Sequence, residues 1–159
     1  MIARLLALIG ALTWAGAAWA GCSTPGACLC SMSVTSIVFG NYNTQSASPT
    51  DTVGTIAVSC SSPDPANSTM SITLSPGSSG NVNARAMQAG LHPLYYNLYT
   101  NAARTIIWGD DSGGGESVAA GFPATTRSTI KLNIYGRIPA QQNAWVGSYR
   151  DSVTLTVSY

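Results

Sequence analysis

Apolar residues return at every second position along most of this chain. The last eight residues, Ser152-Val153-Thr154-Leu155-Thr156-Val157-Ser158-Tyr159, alternate without interruption. Successive strand side chains point to opposite faces, so Val153, Leu155, Val157 and Tyr159 share one face and hydroxyl-bearing residues the other. The same period runs through Cys30, Met32 and Val34, after which Ile37 and Phe39 continue at the opposite parity. That switch predicts a bulge or break near Thr35-Ser36. Further strands are predicted at Ile56, Val58 and Cys60, at Met70, Ile72 and Leu74, and at Ile130, Leu132 and Ile134. An aromatic strand is predicted over Leu94–Thr100 and a short one over Thr105–Trp108. The connections carry Ser-Pro-Asp-Pro, Pro-Gly-Ser-Ser-Gly and Asp-Asp-Ser-Gly-Gly-Gly, which is turn chemistry. No stretch shows the period of a long helix. Regular short strands of this kind predict one antiparallel β-sandwich, without repeats or a second domain. Because its alternation runs to the final residue, the terminal strand is expected to present an edge that needs a partner.

The N-terminus changes the picture of where the chain works. Arg4 precedes an apolar run from Leu5 to Trp14, and Ala18-Trp19-Ala20 places small residues at −3 and −1 of a cut before Gly21. This predicts a secretory signal peptide over residues 1–20, too short and too lightly flanked for a membrane span. A short segment, 21–29, then leads into a domain over 30–159. Trp19-Ala20-Gly21-Cys22 also resembles a lipoprotein cleavage box, but tryptophan stands where that box usually carries leucine.

Charge is sparse, with seven Lys and Arg against six Asp and Glu in 159 residues. Without Arg4 the two signs balance, and no basic stripe or polybasic run is present to recruit nucleic acid or anionic lipid. A surface of this composition gives weak electrostatic protection against neighbours, which suits assembly.

The four cysteines, Cys22, Cys28, Cys30 and Cys60, fit an oxidising compartment. A bridge between Cys28 and Cys30 would be badly strained. The remaining pairings are Cys22–Cys28 with Cys30–Cys60, or Cys22–Cys30 with Cys28–Cys60. The first is preferred because Cys30–Cys60 ties one strand to the next. The Cys-x5-Cys-x-Cys spacing matches no usual zinc finger.

Candidate chemistry is thin. His92, the one histidine, sits beside Pro93 at a strand entrance and reads as a surface or turn residue. Asp110, Asp111 and Glu116 flank three glycines but lack the calcium-loop order, so they read as a solvated loop. Gly113-Gly114-Gly115 lacks the Lys and helix of a phosphate loop. No serine has a base and an orienting acid in context. No enzymatic activity, metal or cofactor is therefore expected. The aromatics Tyr95, Tyr96, Tyr99, Trp108 and Trp145 could stack on sugars if exposed, but are read as core, together with Phe39, Tyr42 and Tyr149.

Several motifs occur in an order that resembles a known family. Cys30 and Phe39-Gly40-Asn41-Tyr42 are followed by Cys60, Tyr96-Asn97-Leu98-Tyr99, Trp108-Gly109-Asp110 and Tyr135-Gly136-Arg137-Ile138-Pro139. Gly147-Ser148-Tyr149-Arg150-Asp151 and the terminal strand close the series. Together these resemble spore coat protein U domains, the family that includes subunits of archaic, Csu-type chaperone–usher pili. The resemblance implies an immunoglobulin-like sandwich lacking its seventh strand. In such families a periplasmic chaperone lends a strand to the gap, and the N-terminal segment of a neighbouring subunit replaces it. An outer-membrane usher then feeds the fibre out to the cell surface. On that reading Val153, Leu155, Val157 and Tyr159 form one wall of the acceptor groove.

One departure stands out. Residues 21–29 read Gly-Cys-Ser-Thr-Pro-Gly-Ala-Cys-Leu and hold no usable donor strand. The chain would then accept a strand without donating one. That places it at a fibre tip, as a minor subunit, or among members secreted as coat protein. The alternative is a self-contained secreted sandwich acting as a carbohydrate-binding or adhesin module.

Overall fold

The computed structural model describes residues 3–9, 19–21, 29–61, 69–121 and 127–158. Its strands are β1 (Ala3–Ile9), β2 (Trp19–Gly21), β3 (Leu29–Val34), β4 (Thr50–Ser61), β5 (Thr69–Leu74), β6 (Ala86–Ala89), β7 (His92–Tyr95), β8 (Asn97–Tyr99), β9 (Val118–Gly121), β10 (Arg127–Ile138) and β11 (Asp151–Ser158). Helical structure among the described residues is confined to two 3-10 turns, Gly77–Ser79 and Val82–Ala84. One sheet has the order β1-β11-β5-β9, the other β2-β3-β4-β10-β8, and β6-β7 form a separate hairpin. Every strand pair is antiparallel. The architecture is the all-β, antiparallel sandwich that the alternation predicts.

The two sheets share one apolar core. Met32, Ile56, Val58 and Ile134 come from the second sheet, and Met70, Ile72, Leu74, Val153, Leu155 and Val157 from the first. Trp108 fills the middle, buried, with its indole Nε1–H donating to the Ile72 carbonyl at 2.9 Å. That bond settles the one polar atom of the largest core side chain.

The parity switch near Thr35-Ser36 is realised. β3 ends at Val34, and Thr35 closes against Thr55 through its amide at 2.9 Å and its hydroxyl at 2.6 Å. The chain then crosses the face of β4, where Ile37 lies over Gly54. A Cβ on Gly54 would come within 2.3 Å of Ile37 Cδ1. Glycine inside a strand marks such close approaches. The same crossing brings Phe39 over Gly136, where an added Cβ would meet Phe39 Cζ at 2.8 Å. Phe39 also meets the Tyr96 ring edge-on, with centroids 5.9 Å apart.

Two predicted strands come out differently. The aromatic stretch divides at Tyr96 into β7 and β8: the Tyr96 amide still donates to the Arg85 carbonyl in the register of the β6–β7 hairpin, and from Asn97 onward the chain pairs with β10 instead. Over Thr105–Trp108 isolated bridges replace a strand, Tyr99 with Ile107 and Trp108 with Glu116. The core assignment of the aromatics also needs correction. Tyr96 and Trp108 are buried and Tyr99 is half-buried, but Tyr95 (51% exposed) and Trp145 (65%) lie outside the core. Tyr95 follows buried Leu94, so strand alternation turns it outward, and Trp145 sits on a loop.

Cys30 and Cys60 lie directly opposite in the β3–β4 register and are joined by a disulfide. Cys22 and Cys28 fall outside the described residues.

Across the β4–β10 ladder, Arg137 sits opposite Asp51 and binds it in a bidentate fork at 2.7 and 2.8 Å, with Arg104 at 3.3 Å. The Arg137 hydrogen bond, helped by both guanidinium charges, holds the Asp51 carboxyl below its ordinary range. A lowered folded-state value stabilises the fold above the unfolded value, and that stability is lost as pH falls through the folded one. Both side chains are about one-third exposed, so solvent screening limits the effect. Asp51→Asn is expected to cost at most ~1 kcal/mol near neutral pH. Urea titrations should show the cost shrinking in acid and in high salt; a cost unchanged below the carboxylate range would rule the ion pair out as its cause.

Candidate strand-acceptor edge

The terminal strand is built in two halves. Toward its end, Leu155 to Ser158 pair with Leu74 to Ser71 of β5. Toward its start, where β5 has finished, Ser75 takes over as its neighbour. The Ser75 amide donates to the Thr154 carbonyl at 2.9 Å, and the Thr154 amide donates to Ser75 Oγ at 2.9 Å. Val153, Leu155 and Val157 face the core and are buried, while Ser152, Thr154, Thr156 and Ser158 lie half-buried on the other face. Tyr159, predicted to continue the apolar row, lies outside the described residues.

Asp151 anchors the beginning of the strand. Its Oδ1 accepts the amides of Ser78 at 2.9 Å and Ser152 at 2.8 Å, and its Oδ2 accepts the Tyr96 hydroxyl at 2.7 Å. The carboxylate is buried but fully occupied, as a buried charge has to be. Burial, reinforced by this carboxylate, pushes the Tyr96 phenol far above its ordinary value, so it stays a donor. Gly77 adopts φ +72°, and a Cβ there would run into Asp151 Oδ2. The Pro-Gly-Ser-Ser-Gly stretch thus folds around the start of β11.

Behind this turn lies a residue that the sequence pattern did not single out. Arg85 is 0% exposed. Its Nε donates to the Ser75 carbonyl at 3.0 Å, and its NH2 donates to Ser75 at 2.8 Å, Leu74 at 3.2 Å and Trp108 at 2.8 Å. Its NH1 donates to Asn97 Oδ1 at 2.7 Å. Burial lowers the guanidinium to about 10, so it is charged at any physiological pH. The Leu74–Ser75 carbonyls that it gathers belong to the segment pairing with β11. Arg85 therefore fixes the segment against which β11 pairs, through that segment's carbonyls. A lone arginine among small and apolar residues, Ala84-Arg85-Ala86-Met87, in a chain this short of charge was the signal available.

On its other side β11 is not bare. β1 runs antiparallel beside it over seven residue pairs, from Ala3 opposite Val157 to Ile9 opposite Asp151. Leu5 lies opposite Leu155, and Ala7 opposite Val153. The segment that holds this place is the stretch the sequence assigns to the signal peptide. With residues 3–9 in place β11 lies between β5 and β1, and without them it would be an edge strand. The following short strand, β2, pairs with β3 on the other sheet.

The remaining candidates lie elsewhere. Asp110 Oδ1 accepts the Ser112 hydroxyl at 2.5 Å, and Asp111 Oδ1 accepts the Ser117 amide at 2.7 Å, so both carboxylates close turns. The Ser117 hydrogen bonds lower the Asp111 carboxyl below its ordinary value. His92 opens β7 and stacks on Trp145, with ring centroids 4.5 Å apart. Among the described residues no helix is long and apolar enough to cross a membrane.

Comparison with known proteins finds relatives of this chain. Residues 9–156 match the Spore Coat Protein U domain family. "Protein U" of Myxococcus xanthus is 33% identical over 131 residues, which covers 76% of this chain and 70% of that protein. Among solved structures, a crystallised chaperone–tip adhesion subunit pre-assembly complex (CsuC–CsuE) from archaic chaperone-usher Csu pili of Acinetobacter baumannii is similar at 20% identity and a TM-score of 0.47. That match covers 80% of this chain, which spans 40% of the solved chain's length.

Proposed function

Because the chain belongs to the Spore Coat Protein U domain family, we propose that it is an exported structural subunit of a pilus or surface coat. It assembles by accepting a strand along the outer edge of β11, and its role is mechanical, not catalytic. The observation that carries this reading is the seven-residue pairing of β1 with β11. The edge is shaped to receive an apolar strand, and the occupant seen here is the segment expected to be cut away on export. Its removal exposes unpaired main-chain groups beside Val153, Leu155 and Val157. An open edge of this kind is a template for another chain.

The energetics favour a replacement. A strand placing about four apolar side chains over the sandwich gains roughly 6–12 kcal/mol, at about 1.5–3 kcal/mol for each. A whole domain is stable by only about 5–15 kcal/mol. A mature chain without a partner would sit at the margin of folding. The partners of that step are a periplasmic chaperone during transit, the outer-membrane usher, and a neighbouring subunit in the final fibre or coat at the cell surface. Residues 21–29, interrupted by Pro25 and Gly26, offer no donor strand, which favours a fibre tip, a minor subunit or a coat protein.

The test compares the full chain, residues 21–159, and residues 21–159 carrying the sequence of residues 3–9 on a flexible C-terminal linker. The bare 21–159 chain is expected to aggregate or to melt more than about 15 °C below the linked form. A bare chain that is monomeric and as stable as the linked one would refute strand acceptance.

A further inference from the structure

The loop between β10 and β11 presents a tryptophan to solvent and fixes it there. Trp145 is 65% exposed, but little about it is loose. The Tyr149 hydroxyl bonds both main-chain groups of Trp145, accepting from its amide and donating to its carbonyl, each at 3.0 Å. His92 backs the indole at 4.5 Å with the two planes 15° apart, so one ring face is covered and the other is open. The loop itself is tied down at its start. Gln142 pairs its side-chain amide with both main-chain groups of Tyr95, at 2.9 and 2.7 Å, and its own amide donates to the Tyr42 hydroxyl at 2.8 Å. At its end, Arg150 and Gln88 exchange main-chain hydrogen bonds at 2.8 and 3.1 Å.

A long loop that merely tolerated an exposed tryptophan would not need so many ties. Ordering an exposed ring in advance removes the entropy cost of immobilising it on contact, which is the mark of a recognition surface. The surrounding chemistry narrows the ligand. Gln141, Asn143 and Ser148 are exposed along the same loop, and Arg150 is the one full charge between residues 139 and 150. Such a rim offers donors and acceptors to hydroxyl groups, and Arg150 alone is no cluster of cations for a polyanion. The apolar area is small: Trp145 with its exposed sequence neighbour Val146, and Leu91 beside His92 at the hairpin tip. A stable protein interface takes about 20–30 residues on each side. A few residues around one flat ring match the face of a sugar.

We propose that the open face of Trp145, backed by His92 and rimmed by Gln141 and Asn143, is a platform for a neutral polysaccharide. A pyranose ring stacks its C–H face on the indole while its hydroxyls meet the amide rim. This site lies on the β10–β11 loop and the β6–β7 hairpin, apart from the β1–β11 pairing, and it does not depend on how the subunit is assembled.

The experiment titrates the full chain with cellohexaose, laminarihexaose and chitohexaose, reading tryptophan fluorescence and saturation-transfer NMR. At least one oligosaccharide is expected to bind, with contacts to the Trp145 ring protons. Trp145→Ala should weaken that binding at least ~10-fold without shifting the thermal midpoint, while Trp145→Phe, which keeps a stacking face, should retain part of it. No binding by any of the three sugars, or binding that Trp145→Ala leaves intact, would overturn the platform. So would a Trp145-dependent self-association that the sugars do not compete away, which would make the loop a contact between copies.

Discussion

Replacing Arg85 with methionine is expected to remove more than ~4 kcal/mol of the chain's unfolding free energy. The substitution keeps an apolar stem of similar length and removes the guanidinium. Three main-chain carbonyls, those of Leu74, Ser75 and Trp108, then lose a buried donor, and Asn97 Oδ1 loses one of its two. Each buried polar group left unpaired costs about 1–3 kcal/mol, and bonds from a charged donor lie toward the upper end. Against this stands the relief of no longer burying a cation. No described carboxylate forms an ion pair with Arg85; the ion pairs found all converge on Asp51. The desolvation cost is therefore real, and it is what lowers the guanidinium to about 10. The lost bonds outweigh it because they are several and all fall on immobile main chain. A net loss of that size is a large share of the roughly 5–15 kcal/mol by which an ordinary domain is stable.

The pH behaviour separates this account from a simple charge effect. A folded value near 10 lies below the ordinary guanidinium value that the unfolded chain keeps. Between those values the unfolded chain holds the proton that the folded chain releases, so stability rises with pH there and is flat below. The deficit of Arg85→Met should therefore be constant from about pH 5 to about pH 9. Arg85→Lys should recover less than half of it, since one compact ammonium cannot reach carbonyls spread over two segments. Urea unfolding followed by tryptophan emission measures both variants. A deficit within ~1 kcal/mol of zero for Arg85→Met would show that the carbonyls find other partners.

The strands were legible because burial on one face of a sheet imposes a period of two. Met32, Val58, Met70, Ile72, Leu74, Val153, Leu155 and Val157 all point inward as their alternation requires. The parity switch after Val34 was legible for the same reason, although Gly54 and Gly136, the positions that make room for the crossing, gave no periodic signal. The network behind β11 was not legible. Arg85, Ser75, Asn97 and Asp151 lie far apart in sequence and on no common period, and only the folded loops bring them together. Tyr95 and Trp145 were assigned to the core because aromatic residues usually bury, but Tyr95 follows an inward leucine on a short hairpin and Trp145 is held outward by Tyr149. The occupied edge of β11 was hidden for another reason. An apolar N-terminal run reads as a targeting segment, and the same apolarity equips it to fill a strand position.

Removing the Cys30–Cys60 bridge is the second large effect expected. The two residues already face each other in the β3–β4 ladder, so the bond adds little to the native geometry. Its contribution lies in the unfolded chain, where it closes a loop over a sequence separation of 30. The chain-entropy estimate for such a loop is about 3.7 kcal/mol. Both cysteines are buried, so alanine at each position also gives up some packing, and the double variant Cys30→Ala/Cys60→Ala should lose somewhat more than simple reduction does. Because the released denatured chain is more expanded, the denaturant slope should steepen while the midpoint falls. A native-state effect would instead lower the midpoint at constant slope. If the midpoint hardly moved, the β3–β4 pairing would by itself hold the cysteines together. If it falls as expected, the sandwich reaches its full stability only in an oxidising compartment, and on the proposed reading that is the compartment in which loss of residues 3–9 would uncover β11.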